Sequence, residues 1–289
     1  MDKKQAFFIL LLTAVLGSSV IIVTKIGLKE IPPLHFLFWR LFFTTLLLLP
    51  LLKFKKHHLP LNLNNKIWLI SLLPTANFLF YIFGINLTGA TMSQTIYTFV
   101  PIMTAIVAHF LIKERLNVKK SAGILLGLAG TLIVVASPIL NGRHGGDFVG
   151  NLLILLGSIS WAAYPVIAKK FQANYTPLVL TTTMMIPATI ISGLVVVKDY
   201  FTGNFITPSP LTWAFMGYSA VITVIYYLLI HRLIQKVSSV MGTIVLYIQP
   251  VTAFLWAAPL LGEKLTPGLI LGGTLTIFGA YLVTKSSKD

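Results

Sequence analysis

Few residues in this chain of 289 can do chemistry, and the most suggestive lie inside apolar runs. Arg40 stands about six residues into such a run, roughly 9 Å below its end at 1.5 Å per helical residue. An ionised side chain at that depth must face protein or a water-filled cavity. It can anchor a carboxylate or phosphate through parallel hydrogen bonds, or it can serve as an inter-helix or snorkelling cation. Residue type and position leave both open. Polar and aromatic residues occupy other runs. Asn77 and Tyr81 share a helical face, four residues apart. Gln94, Tyr97 and Thr98 precede Pro101, Trp161 and Tyr164 precede Pro165, and Tyr247 and Gln249 precede Pro250. Tyr226 and Tyr227 are adjacent in a further run. Each proline frees a backbone carbonyl one turn earlier, and in a cavity that carbonyl can bind a solute or water. The substrate-binding set expected from the sequence is therefore Arg40, Asn77, Tyr81, Gln94, Tyr97, Trp161, Tyr164, Tyr226, Tyr247 and Gln249. Trp39, Trp68 and Trp213 lie near run ends and suit an interfacial belt.

Other chemistry is poorly represented. Glu114 and Glu263 could be a proton-coupling pair, but each sits at a helix junction beside a cation, Arg115 or Lys264, which favours a cap or loop clamp. No Asp or Glu lies deep inside an apolar run, so a proton relay has no support. His57 and His58 fall in a basic loop, His144 in another loop, and His109 near a helix end, where packing is the plainer role. The absence of cysteine excludes disulfides, Cys-ligated zinc, iron–sulfur clusters and thiol catalysis. No metal-ligand spacing, Gly-rich phosphate loop or Ser/His/Asp arrangement occurs, so no catalytic residue, metal or cofactor is expected, and the chain does not read as an enzyme.

The elements that position these residues follow from composition. Hydrophobic residues make up 56% of the chain and charged residues 10%, against roughly 25% charged in soluble domains. Mean hydropathy is +0.87. A body of this composition belongs in a membrane, with lipids as neighbours. Ten apolar runs approach the ~20 residues that a spanning helix needs: 6–25, 34–52, 67–87, 91–112, 121–140, 148–168, 177–197, 211–230, 239–261 and 267–284. The first is too long for a signal-peptide core and reads as a retained helix. Basic residues lie mostly between runs. Sixteen fall on the side of the N-terminus and four (Lys29, Arg143, Lys198, Lys264) on the other, with Lys25 and Arg40 inside or at the edge of runs. The net charge of +15 is thus a topology signal rather than a nucleic-acid footprint. It places both termini in the cytoplasm of a multi-pass protein of the cell membrane.

The two halves repeat. Pro101 and Pro250 are 149 apart, as are Glu114 and Glu263, Leu116 and Leu265, Gly123 and Gly272, and Gly130 and Gly279; Lys25 and Lys169, and Pro33 and Pro177, are 144 apart. Residues 1–140 and 147–289 are then two five-helix copies. An odd number of spans makes them opposite in membrane orientation, as in secondary transporters. The fold class expected is an all-α membrane protein of ten helices in two inverted-topology repeats. The glycines at Gly123, Gly127 and Gly130 suit close helix packing.

The paired segments Ser93–Gly130 and Gly242–Gly279 each carry a mid-helix Pro, a Glu-basic-Leu turn and a Gly-spaced helix. This pattern resembles the EamA-like family of the drug/metabolite transporter superfamily, which has a Pro in the fourth helix and a Gly-Glu-basic-Leu turn. Gly262-Glu263-Lys264-Leu265 matches it fully, and Lys113 stands where the first copy would have Gly. Gly17 and Trp161 match the family's mid-first-helix Gly or Trp, and Arg40 its early second-helix Arg, which the second half lacks. The resemblance implies a secondary transporter of small metabolites, amino acids or related solutes, working by alternating access around a central cavity. The partners expected are a small-molecule substrate and membrane lipids and not nucleic acid; the sequence leaves open a homo-oligomer. A membrane receptor or scaffold is the alternative, and an intramembrane lipid-modifying enzyme a remoter one.

Overall fold

The computed structural model describes all residues except 61, 63–64, 89–92, 94–95, 141–146, 262–266 and 287–289, and at 134–140, 254–255, 257–261 and 269 only the backbone. Its described residues form ten helices and no strand: α1 Lys3–Gly27, α2 Pro33–Phe54, α3 Lys66–Leu87, α4 Val100–Ile112, α5 Val118–Leu140, α6 Phe148–Phe171, α7 Pro177–Phe201, α8 Pro210–Lys236, α9 Met241–Leu261 and α10 Pro267–Ser286. Each falls on an expected run. Among the described residues, α1, α2, α3, α6, α7 and α8 are long and apolar enough to cross a membrane.

Local chemistry sets the helix ends. Asp2, Asn65, Asp147, Thr176 and Ser209 cap the starts of α1, α3, α6, α7 and α8 with side-chain oxygens, and Pro177 and Pro210 open α7 and α8, where the missing N–H costs nothing. The fourth run departs from the continuous helix expected over 91–112. Ile96 and Tyr97 are helical, Thr98 and Phe99 form a turn, and α4 begins at Val100. Pro101 has no N–H to bond the Tyr97 carbonyl, which weakens the helix there. At its far end α4 stops on Lys113, which adopts the left-handed conformation (φ 53°, ψ 34°). Among ordinary residues only Gly adopts that backbone without penalty.

Helices alternate in direction. The end carrying the N-terminus is tied by Lys3 Nζ donating to the Lys285 carbonyl (2.6 Å) and Ser286 Oγ donating to Asn117 Oδ1 (2.8 Å). At the opposite end Lys25 Nζ donates to the Ile85 carbonyl (2.8 Å). The most extensive packings are α5 on α10, α3 on α6, α2 on α7, α1 on α9, α1 on α8, α3 on α7, α2 on α8 and α4 on α6. Exchanging each helix with the one five places along maps this set onto itself. In the α5–α10 contact the backbones nearly touch: a Cβ on Gly130 would lie 2.6 Å from the Gly272 carbonyl oxygen, and one on Gly123 2.8 Å from that of Gly279. Outside, Phe8, Leu69, Phe110, Leu194 and Ile270 are exposed apolar side chains, as a lipid-facing surface requires.

Candidate functional site

At the centre of the bundle lies a cavity of about 110 Å³, walled by α1, α2, α3, Tyr97 ahead of α4, α6, α8 and α9. Seven of the ten expected residues line it: Arg40, Asn77, Tyr81, Tyr97, Trp161, Tyr226 and Gln249. Gly17, Val20, Ile21, Thr24, Phe78, Thr223, Tyr227 and Leu246 complete the wall. Gln94 lies outside the described residues.

Two expected residues sit elsewhere. Tyr164 is one turn beyond Trp161, stacked on it with ring centroids 5.6 Å apart, and fully buried behind it. Tyr247 is fully buried against α5, where its ring occupies the place of a Gly127 side chain; a Cβ there would lie 2.6 Å from the Tyr247 ring. Their helices are apolar on every side, so the pattern could not say which inward face meets the cavity.

Hydrogen bonds and ring contacts fix the wall. The Asn77 amide donates to the Tyr97 hydroxyl and, at 2.8 Å, to the Gly157 carbonyl, joining α3 to α6 and to the helical residues ahead of α4. Tyr81 meets the Tyr97 ring edge-on at 5.4 Å. Gln249 Nε2 donates to the Tyr226 hydroxyl at 3.3 Å, and Tyr227 packs edge-on against both Trp161 and Phe78. Gly17 is required here, because any side chain would strike Gln249 and the Tyr226 ring. Gly17 and Trp161 are 144 apart in sequence and face the same cavity.

Arg40 is 9% exposed. Among the described residues its guanidinium makes no hydrogen bond or ion pair, and its Nε is buried without a partner. Thr24 Oγ1, on the same cavity wall, is also buried and unpartnered.

Histidines 35 and 231 escaped the sequence analysis. His231 is buried beneath the cavity, its Nε2 3.1 Å from the Tyr164 hydroxyl, with Gln172 Nε2 donating to its carbonyl at 3.0 Å. His35 Nε2 is 2.8 Å from Asp199 Oδ2, joining α2 to α7. Position inside the run 34–52 was the available signal for His35, whereas His231 stands one residue past the run 211–230.

Polar contacts tie the helices together at both ends. At the N-terminal end Glu114 accepts from Lys120 Nζ (2.7 Å), Lys169 Nζ (3.3 Å) and the Ser239 backbone N–H (3.2 Å), tying the α4–α5 turn to α6 and to the α8–α9 turn. Burial opposes its ionisation, yet these three donors together hold its carboxyl below the usual range. At the opposite end Glu30 accepts from the Thr212 hydroxyl, the Ser209 backbone N–H and the Ser209 hydroxyl, holding the start of α8; these bonds, Thr212 first, lower its pKa. Glu114 is thus a clamp between loops. Glu263 lies outside the described residues. Among the described residues no group of three His, Asp or Glu could hold a metal ion.

A multi-pass helical bundle around a polar cavity, with hydrogen bonds tying its helices together at both ends, has the form of a membrane transporter. The chain belongs to the EamA-like transporter family, whose model matches residues 4–136 and again 148–285. An uncharacterized transporter of Archaeoglobus fulgidus is 25% identical, over 99% of this chain and 100% of that one. Proteins of Salmonella typhimurium and Escherichia coli, each named a probable amino-acid metabolite efflux pump, are 28% and 26% identical, over 98% of this chain and 95% of theirs. A solved crystal structure with 18% sequence identity superposes with a TM-score of 0.81, covering 99% of both chains, and shares the fold.

Proposed function

We propose that the chain is a secondary transporter that moves small metabolites, amino acids or related solutes, through the central cavity by alternating access of two inverted repeats, residues 1–140 and 147–289. The observation that carries this reading is the cavity itself, a polar, aromatic-lined space around an unpaired buried cation inside a membrane-spanning bundle. Such an arrangement costs stability and has a use when a solute fills it. The exchange symmetry of the helix packings supports an inverted repeat, because two halves related in that way can rock about a central site between equivalent states. The Glu114 latch would close one side, and the Glu30 and His35–Asp199 contacts the other.

The basic residues gather at the helix ends on the side of the N-terminus, among them Lys53, Lys55, Lys119, Lys170, Lys236 and Lys285. This supports cytoplasmic termini and residence in the cell membrane. The relatives named as amino-acid metabolite efflux pumps favour cargo of that origin and outward movement. The size of the cavity, short of the ~300 Å³ at which pockets for drug-sized ligands begin, favours a compact solute. The test is direct. Purified protein is screened for thermal stabilisation by a metabolite library, and the hits are tested for counterflow in liposomes. Stabilising solutes should be carried; a set of hits of which none is carried would refute the reading.

A further inference from the structure

The balance of charge in the cavity narrows its cargo. Arg40 contributes a guanidinium that stays protonated in proteins and is, among the described residues, without an ion pair. The chain has only seven acidic residues, and each of the five described is engaged at a bundle end. Asp2 and Asp147 cap α1 and α6. Glu30 is held by Ser209 and Thr212 at the start of α8, Glu114 by Lys120 and Lys169, and Asp199 faces His35. The remaining two, Glu263 and Asp289, lie outside the described residues. No carboxylate among the described residues lines the cavity. Two donors on its wall, Arg40 Nε and Thr24 Oγ1, are buried without partners, while Val20, Ile21 and Leu246 offer apolar surface beside them.

We infer that the cargo is an organic monoanion, a carboxylate on a small apolar body with no ammonium group, held by Arg40 and Thr24. This rests on the transport reading and narrows its cargo to related solutes rather than amino acids themselves. A monoanion brings the buried site to zero net charge and satisfies both idle donors. A zwitterionic amino acid leaves a net positive charge in low dielectric, with an ammonium that meets no carboxylate, and an amine adds a second cation beside the first. The apolar wall receives the body of the solute, and the tyrosine hydroxyls reach its edges.

Three solutes of one skeleton separate these cases: 3-methylbutanoate, valine and 2-methylpropylamine, carrying charges of −1, zero and +1 at neutral pH. Dissociation constants are measured on the purified full chain by calorimetry, and each solute is tested for counterflow in liposomes. The monoanion should bind about 10- to 100-fold more tightly than valine, whose carboxylate can meet Arg40 in the same way but whose ammonium is buried without a partner. The amine should bind weakest. Arg40→Gln should bring the three within about threefold of one another, while Arg40→Lys, which keeps the charge and loses the planar fork, should keep the order with weaker binding. The ranking on the unmodified protein tests the inference even if neither variant folds. Valine or the amine binding as tightly as the monoanion, no binding of the monoanion, or a ranking unchanged in a folded Arg40→Gln protein would overturn it. Valine carried in counterflow without preference for the monoanion would sink this inference alone, whereas failure of every stabilising solute to be carried would sink the transport reading.

Discussion

Replacing Glu114 with Gln tests the latch at the N-terminal end. Lys120, its nearest partner, has a side chain only 3% exposed, with Nζ 2.7 Å from the carboxylate. At an effective dielectric of ~20 that separation corresponds to an attraction of about 6 kcal/mol, much of which offsets the cost of burying both ions. Removing the carboxylate charge leaves Lys120 buried and uncompensated, which costs about 3–5 kcal/mol. Lys169 is more exposed and adds at most about 1 kcal/mol. At ~2 °C per kcal/mol for a large chain, Glu114→Gln should melt about 6–10 °C lower in detergent at neutral pH. The sign with pH follows from the lowered pKa of Glu114. Its contribution is complete above the unfolded value of about 4.3 and fades as the pH falls through the lower folded value. The gap between wild type and variant should therefore be widest near neutrality and narrow below about pH 4. A variant melting within about 2 °C of wild type at neutral pH, or a gap that widens in acid, would refute this account of the latch.

Lys113 pays for its left-handed backbone (φ 53°), so Lys113→Gly should raise stability by about 1 kcal/mol, measured as a higher melting temperature. Gly279→Val should prevent α5 from seating on α10, because even a Cβ would lie 2.7 Å from the Gly123 carbonyl oxygen; the readout is loss of the monodisperse peak in size-exclusion chromatography. Asn77→Ala should leave the Gly157 carbonyl and the Tyr97 hydroxyl without their donor, destabilising by about 1–3 kcal/mol and weakening solute binding together, as a paired melting and binding measurement would show. Reporter fusions should place both termini in the cytoplasm; a terminus found outside would reverse the orientation drawn from the basic residues.

Much of the fold could be read from the sequence because membrane helices declare themselves by length and apolarity, and all ten appear where the runs lie. The interruption before α4 was half visible: Pro101 marks the place, but Pro250 sits within α9 without breaking it, so context decides. Asn77 and Tyr81 were legible as cavity residues because two polar groups one turn apart on an apolar helix need a common polar neighbour. Arg40 was legible for the same reason, with the cost of burial added. Tyr164 and Tyr247 were not, since rings on helices apolar all round can fill either a cavity or a helix interface, and the choice lies with the partner: His231 behind the one, Gly127 facing the other. The small residues that shape the space, Gly17 and Thr24, carry their meaning only once α8, α9 and α2 are placed against them.

The central claim is that solute crosses through the cavity around Arg40, and blocking that space tests it most directly. Val20 lines the cavity from α1, whereas Leu12 on the same helix is exposed on the bundle surface. Counterflow of the best-stabilising solute is measured in liposomes containing wild type, Val20→Trp or Leu12→Trp, each first shown to be folded by its melting temperature. The account predicts that Val20→Trp loses counterflow while Leu12→Trp retains it. Counterflow undiminished in a folded Val20→Trp protein would contradict it.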